Sequence, residues 1–189
     1  YQEILDSGVK SGAVFFNQGN AFMRAGRTGL AIAAYRQAQR SRPADPYLAA
    51  NLQYALGKAA SGESVQSRPL ALYVLFWQDW IGYAAKFRLL AAAAAVAFGL
   101  ACAALFVQNP WPKRLGVAAL VITGILAVSA AYDWNRFDRV QRGVVVENGA
   151  VARMGYNDSY PPALTQPLGD GAEFTVLDRH GDWLFIRLS

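Results

Sequence analysis

Two uncharged runs standing in tandem constrain this chain more than any other feature. Leu89 to Val107 reads LLAAAAAVAFGLACAALFV, nineteen residues without a charge, and Leu115 to Tyr132 reads LGVAALVITGILAVSAAY, also uncharged. As helices rising ~1.5 Å per residue, each comes close to the ~30 Å hydrocarbon thickness of a bilayer. The joint between them, Gln108 to Arg114, holds two prolines that stop a helix and a tryptophan, Trp111, suited to the membrane–water boundary. Alanine-rich runs are only moderately hydrophobic, so a pair of buried core helices is the competing reading. Both runs are bounded by Lys/Arg and aromatics, which favours a transmembrane hairpin over residues 88–134.

The stretch Leu70 to Phe87, LALYVLFWQDWIGYAAKF, is apolar but broken by Gln78, Asp79 and Lys86. Its Trp and Tyr content predicts an interfacial helix lying on the membrane, with Ser67 and Pro69 marking its start. Reading it as a third crossing would put Asp79 near mid-membrane at a cost of several kcal/mol. Two crossings leave both ends of the chain on one side. The loop carries Lys113 and Arg114; the flanks carry Lys86, Arg88, Arg136, Arg139 and Arg142, interspersed with Asp133 and Asp138. That distribution leaves the orientation open.

Ahead of the membrane segments, Phe15, Gly19, Phe22, Gly26, Ala31, Tyr35, Ala38 and Pro43 fall at the spacings of a tetratricopeptide repeat. Gly19 and Ala31 are small where two antiparallel helices approach, the aromatics fill the space beside them, and Gly26 and Pro43 end the two helices. Tyr1 and Ile4 precede Tyr35 and Ala38 by 34 residues, so the chain is expected to open inside the second helix of an earlier repeat. A third helix, Pro46 to Ala59, caps the stack, and a polar linker follows over 61–69. In this register the concave face carries Ala13, Phe16, Asn17, Asn20, Met23 and Arg24, with Asn51 from the capping helix. Asparagines can hydrogen-bond a peptide backbone and Arg24 can pair with a carboxylate; solvated polar residues on a helix face are the plainer alternative.

After a linker over 135–142 the pattern becomes β-rich. Val144–Glu147, Ala150–Arg153, Glu173–Asp178 and Trp183–Arg187 read as strands, separated by Asn148-Gly149, Gly169-Asp170-Gly171 and the turn at Arg179 to Asp182. Met154 to Leu168, with three prolines, reads as an irregular loop. Short strands around one long early loop predict a small SH3-like barrel over 143–189, and the run from Val144 resembles a bacterial SH3 domain. It departs from that family by stopping at Ser189, where a further Gly-Trp-Val strand is usual. Tyr156, Tyr160 and Trp183 could form an aromatic platform, although Trp183 in the core and tyrosines packing the loop are the ordinary roles.

The net charge of +5 belongs to the first two thirds of the chain, since 143–189 holds three arginines against six acids. The positive groups flank apolar segments or scatter along helices, a pattern that argues against nucleic acid. Cys102 is the only cysteine and His180 the only histidine, so no disulfide, cysteine–metal site or nucleophilic dyad is expected. Without a phosphate loop, zinc motif or nucleophile elbow, the chain reads as a non-enzyme with no cofactor.

The order of these parts resembles BatE proteins of the Bacteroides aerotolerance operon, over nearly the whole chain. The phrase FFNQGNAFMRAGRTGLAIAAYRQAQRSRPADPYLAANLQYA carries the likeness most firmly. The resemblance implies a bacterial inner-membrane protein with both soluble modules in the periplasm. It implies work beside membrane-anchored von Willebrand A-domain proteins, other Bat proteins and, indirectly, a MoxR-type AAA+ ATPase. The resulting expectation is a multidomain membrane scaffold: an all-α repeat module over 1–60, an interfacial helix over 70–87, a hairpin anchored in the lipid bilayer, and an SH3-like module. Two other roles fit the same parts: an envelope sensor or wall-tethering module binding peptidoglycan peptides, and a membrane-bound chaperone.

Overall fold

The computed structural model describes residues 11–59 and 76–188. The expected earlier repeat before Ser11, the linker over 61–69 and the first part of the interfacial helix, 70–75, lie outside the described residues. The described chain falls into two compact units, one drawn from Tyr1–Leu70 and Val140–Ser189, the other from Ala71–Arg139.

Among the described residues, the first unit opens with three helices: α1 (Gly12–Arg24), α2 (Thr28–Ser41) and α3 (Pro46–Lys58). Local chemistry sets their ends. Ser11 Oγ accepts from the Val14 amide at 3.2 Å, and the Asp45 carboxylate accepts from Tyr47 and Leu48 ahead of which Pro46 opens α3. Gly26 stops α1 with φ of +74°, a conformation other residues adopt at a cost. Gly12 faces Ser41 and Arg42 while Gly19 faces Tyr35, so α1 and α2 run antiparallel. A methyl group on Gly19 would sit 2.5 Å from Cε1 of Tyr35, which is why a glycine is required there. The core gathers Ala31, Ile32, Tyr35, Ala38, Leu48, Leu52 and Ala55, with Phe15, Phe22 and Leu56 packed against it. Fully burying a side chain such as Ile32 or Leu52 contributes roughly 1.5–3 kcal/mol.

The rest of this unit is β. Strands β1 (Arg142–Val144), β2 (Glu173–His180) and β3 (Trp183–Leu188) form an antiparallel sheet in the order β1-β2-β3, with an irregularity between Val176 and Asp178. The expected strand Ala150–Arg153 is reduced to isolated bridges, Ala150 with Leu168 and Arg153 with Pro162. Pro161, Pro162 and Pro167 lack the amide donors a continuous ladder needs. The Met154–Leu168 loop is nonetheless tied back, with Ala163 N donating to Ala152 O and Leu168 N to Ala150 O, both at 2.8 Å. Among the described residues the sheet has three strands, too few to show a barrel.

The β part packs onto the helices. Arg36 on α2 donates two hydrogen bonds to Glu173 at the start of β2, 2.8 and 2.7 Å, and the Gly29 amide donates to Asp170 Oδ1 at 3.0 Å. A Cβ on Gly29 would collide with Val145 O and Asp170, and one on Gly171 (φ +95°) would meet Ala59 and Ile32. The two soluble modules expected as separate domains are thus one body, with the second unit inserted between them along the chain.

The second unit holds a 3-10 turn (Phe76–Asp79), helices α4 (Tyr83–Phe106) and α5 (Trp111–Trp134), and a π-type turn (Asn135–Arg139). Gly116 packs by Leu100 and Lys86 by Asp133, so the two helices are antiparallel. Both are long and apolar enough to cross a membrane, and only 6% and 17% of their most apolar windows are buried. Such exposed apolar surface, including Phe98, Leu105, Val117, Leu120 and Val128, is unlike a soluble core helix. The expected interfacial helix over 70–87 is not continuous. Its described part is one 3-10 turn, a break at Trp80–Gly82, and then Tyr83–Phe87, which belong to α4. Gly82, extended at φ −65° and ψ 154°, caps α4 and separates the two pieces. The hairpin accordingly starts at Tyr83 rather than at 88, and Lys86 and Asp133 lie inside helices instead of on flanks.

Candidate functional site

The residues singled out for partner contact lie on α1 and α3 and divide into three kinds. Asn17 and Arg24 are exposed, one above the other at a spacing of seven, with Ala13 continuing the stripe. Among the described residues Arg24 makes no ion pair, so its guanidinium is available to a ligand carboxylate. Phe16 and Met23 are half-buried and pack against the helical core. The Phe16 ring sits 6.1 Å from Tyr35 and is covered by Arg42 at 5.5 Å, which commits it to packing.

Asn20 and Asn51 belong to the third kind. Asn20 Oδ1 accepts from the Tyr35 hydroxyl at 2.8 Å and from Asn51 Nδ2 at 2.9 Å, so one oxygen ties α1, α2 and α3 together. That oxygen is spent internally, and the Asn20 amide nitrogen is what remains to face a ligand. Burial pushes the Tyr35 phenol above its usual range, while the Asn51 hydrogen bond and the charge of Arg24 pull the other way. The floor of the face is therefore a neutral, hydrogen-bonded cluster with a cation at its rim. It can recognise amide and carboxylate groups. Sequence spacing assigned Tyr35 to filling space between helices; its hydroxyl as the organiser of both asparagines was missed, because the contact joins residues 15 and 31 apart.

A second polar cluster was missed altogether. Lys86 and Ser129 are fully buried, and Asp133 and Gln78 almost so. Lys86 Nζ donates to Asp133 Oδ2 at 2.6 Å and to the Gln78 carbonyl at 2.8 Å. Gln78 Nε2 donates to Asp133 Oδ1 (2.5 Å) and the Ser129 carbonyl (3.0 Å), and Ser129 Oγ donates back to Gln78 Oε1 (2.6 Å). The signal available in the sequence was the lone lysine and aspartate at opposite ends of two antiparallel runs.

In the β part, Tyr156 is exposed and stacks on His180 with centroids 4.6 Å apart, and Tyr160 lies 6.2 Å from Tyr156. Trp183, facing His180 across the hairpin, is half-buried. Among the described residues no three His, Cys, Asp or Glu side chains gather to hold a metal ion. No protein-family model, curated protein or solved structure matches this chain.

Proposed function

We propose that this chain is a membrane-anchored scaffold that presents a protein-binding face on its helical part, within an assembly of the Bat/MoxR type. In this reading Asn17, Asn20, Arg24 and Asn51 grip an extended or acidic segment of a von Willebrand A-domain protein. The helices α1 to α3 act as a tetratricopeptide-like module and the sheet as a reduced SH3-like one. The observation that carries the proposal is the pairing of one compact body bearing an open polar face with a hairpin whose surface is apolar. Tethering to the bilayer raises the effective concentration of that face towards other membrane-bound partners.

Chain connectivity adds support for two crossings. Arg36 bonds Glu173 and Gly29 bonds Asp170, residues on either side of the hairpin in sequence. Segments that pack together share a compartment, so the chain between them crosses an even number of times. That reasoning disfavours a third span through Asp79. The resemblance implies that this shared compartment is the periplasm. Cysteine labelling at Ala50 and Ser159, in a Cys102→Ala background, tests it: both sites should react in intact cells, and protection of either would overturn the orientation.

The binding role is tested by pull-down in mild detergent. Recovery of von Willebrand A-domain proteins should fall at least tenfold for Asn17→Ala/Arg24→Ala, whose exposed side chains make no hydrogen bond or ion pair among the described residues. Undiminished recovery would remove the helical face from the reading. A second reading, wall attachment through the β part, is favoured by the exposed Tyr156–His180 stack; binding of purified sacculi, lost on Tyr156→Ala, would decide for it.

A further inference from the structure

We propose that Gln78 is the key of an internal latch that fastens the segment entering the hairpin onto the hairpin itself. The receptor is built by α4 and α5 and is shaped for a carboxamide. Ser129 Oγ supplies the donor for Oε1, and two pure acceptors, Asp133 Oδ1 and the Ser129 carbonyl, take the Nε2 hydrogens. This arrangement fixes which end of the amide is nitrogen. Lys86 closes the assembly by bonding both Asp133 and the Gln78 carbonyl, so the key is held by its backbone as well as its side chain.

Each buried member has a partner, which makes the closed state self-consistent in a low-dielectric setting. The receptor differs from ordinary packing in its reach. It joins a short 3-10 turn, not a helix, to residues 51 and 55 positions further on. Between the turn and α4 the chain passes through Trp80–Gly82, a non-helical break ending in a glycine that can serve as a hinge. Removing the Gln78 side chain leaves Lys86 and Asp133 paired with each other, so the hairpin holds together while the turn ahead of it loosens. Closed, the latch holds the Phe76–Asp79 turn against α4 and α5; open, it releases that turn.

The latch rests on the hairpin reading but not on the bilayer, and the test separates the two. Full-length protein is compared by hydrogen exchange in detergent micelles as wild type, Gln78→Leu and Ser129→Ala, and wild-type membranes are washed with alkaline carbonate. Gln78→Leu should speed exchange of the amides of residues 76–86 by about tenfold or more, with the centre of α5 and the helices α1 to α3 unchanged. Ser129→Ala, which removes one of the bonds to Gln78, should give a smaller rise confined to the same residues. Unchanged exchange in both variants would overturn the latch. Uniform loss of protection across α4 and α5 would also overturn it, since it would make Gln78 part of the hairpin's packing. Release of the wild type by carbonate would instead count against membrane insertion, leaving the exchange result to stand alone.

Discussion

Arg36 and Glu173, 137 residues apart, meet in two parallel hydrogen bonds of 2.8 and 2.7 Å. This fork couples the middle of α2 to the first residue of β2 and, with the Asp170–Gly29 bond, makes one body of the two parts of the chain that bracket the hairpin. Bidentate geometry is stronger and more directional than a single ion pair.

Breaking the fork should loosen that body without unfolding it. The two side chains retain 27% and 12% of their exposure, so solvent screens the pair. A double-mutant cycle with Arg36→Ala and Glu173→Ala should return a coupling of about 1 kcal/mol in denaturant unfolding. A coupling indistinguishable from zero would show that the other contacts at this junction, the Gly29–Asp170 hydrogen bond among them, hold the β part.

Apolar and backbone contact at the same junction is tight around Gly29. Its missing Cβ leaves room for Val145 O and Asp170, so Gly29→Val should separate the β part from α2 while leaving the α1–α2 packing intact. Hydrogen exchange should rise over residues 142–145 and 170–174 but not over α1. Matching protection to wild type would mean the backbone shifts to accommodate the side chain.

Asn20 is a poor choice for a clean binding variant. Asn20→Ala removes the acceptor shared by Tyr35 and Asn51, and such a loss costs about 1–3 kcal/mol when the donors are left unpaired. Asn17→Ala and Arg24→Ala should change stability by no more than ~0.5 kcal/mol. Thermal unfolding of the three variants checks the ranking, and binding losses for Asn20→Ala must be read against its stability.

Tyr35 predicts a pH dependence in the alkaline range. Its phenol titrates above the usual value of 10.0 in the folded protein, mainly because burial disfavours the phenolate. The unfolded chain therefore loses the proton first, and stability falls as pH rises from about 10 towards the folded value. Below that window the contribution is fully present. Tyr35→Phe should flatten this part of the stability–pH curve; equal slopes for the two proteins would contradict the burial argument.

Much of this fold was legible because it follows from local pattern. Gly26 ends α1 through its positive φ, and the third helix opens at Pro46 as the sequence led one to expect. The two uncharged runs determined a pair of long apolar helices, since length and composition alone suffice for that. Their true extents were harder to see. The reading placed Lys86 and Asp133 on the flanks of the two apolar runs, and only their mutual contact makes them compatible with burial.

What tertiary structure alone decided are the contacts between groups far apart in sequence. Asn20 became a structural acceptor through Tyr35 and Asn51, Gln78 became a key through Ser129 and Asp133, and Arg36 with Glu173 merged two modules into one body. Periodicity tells which side of a helix is apolar, but it carries no information on which polar group a distant side chain will meet. The tandem apolar runs determined that this chain has a hairpin; hydrogen bonds at its foot, and those within the other unit, decided how the remaining segments are held.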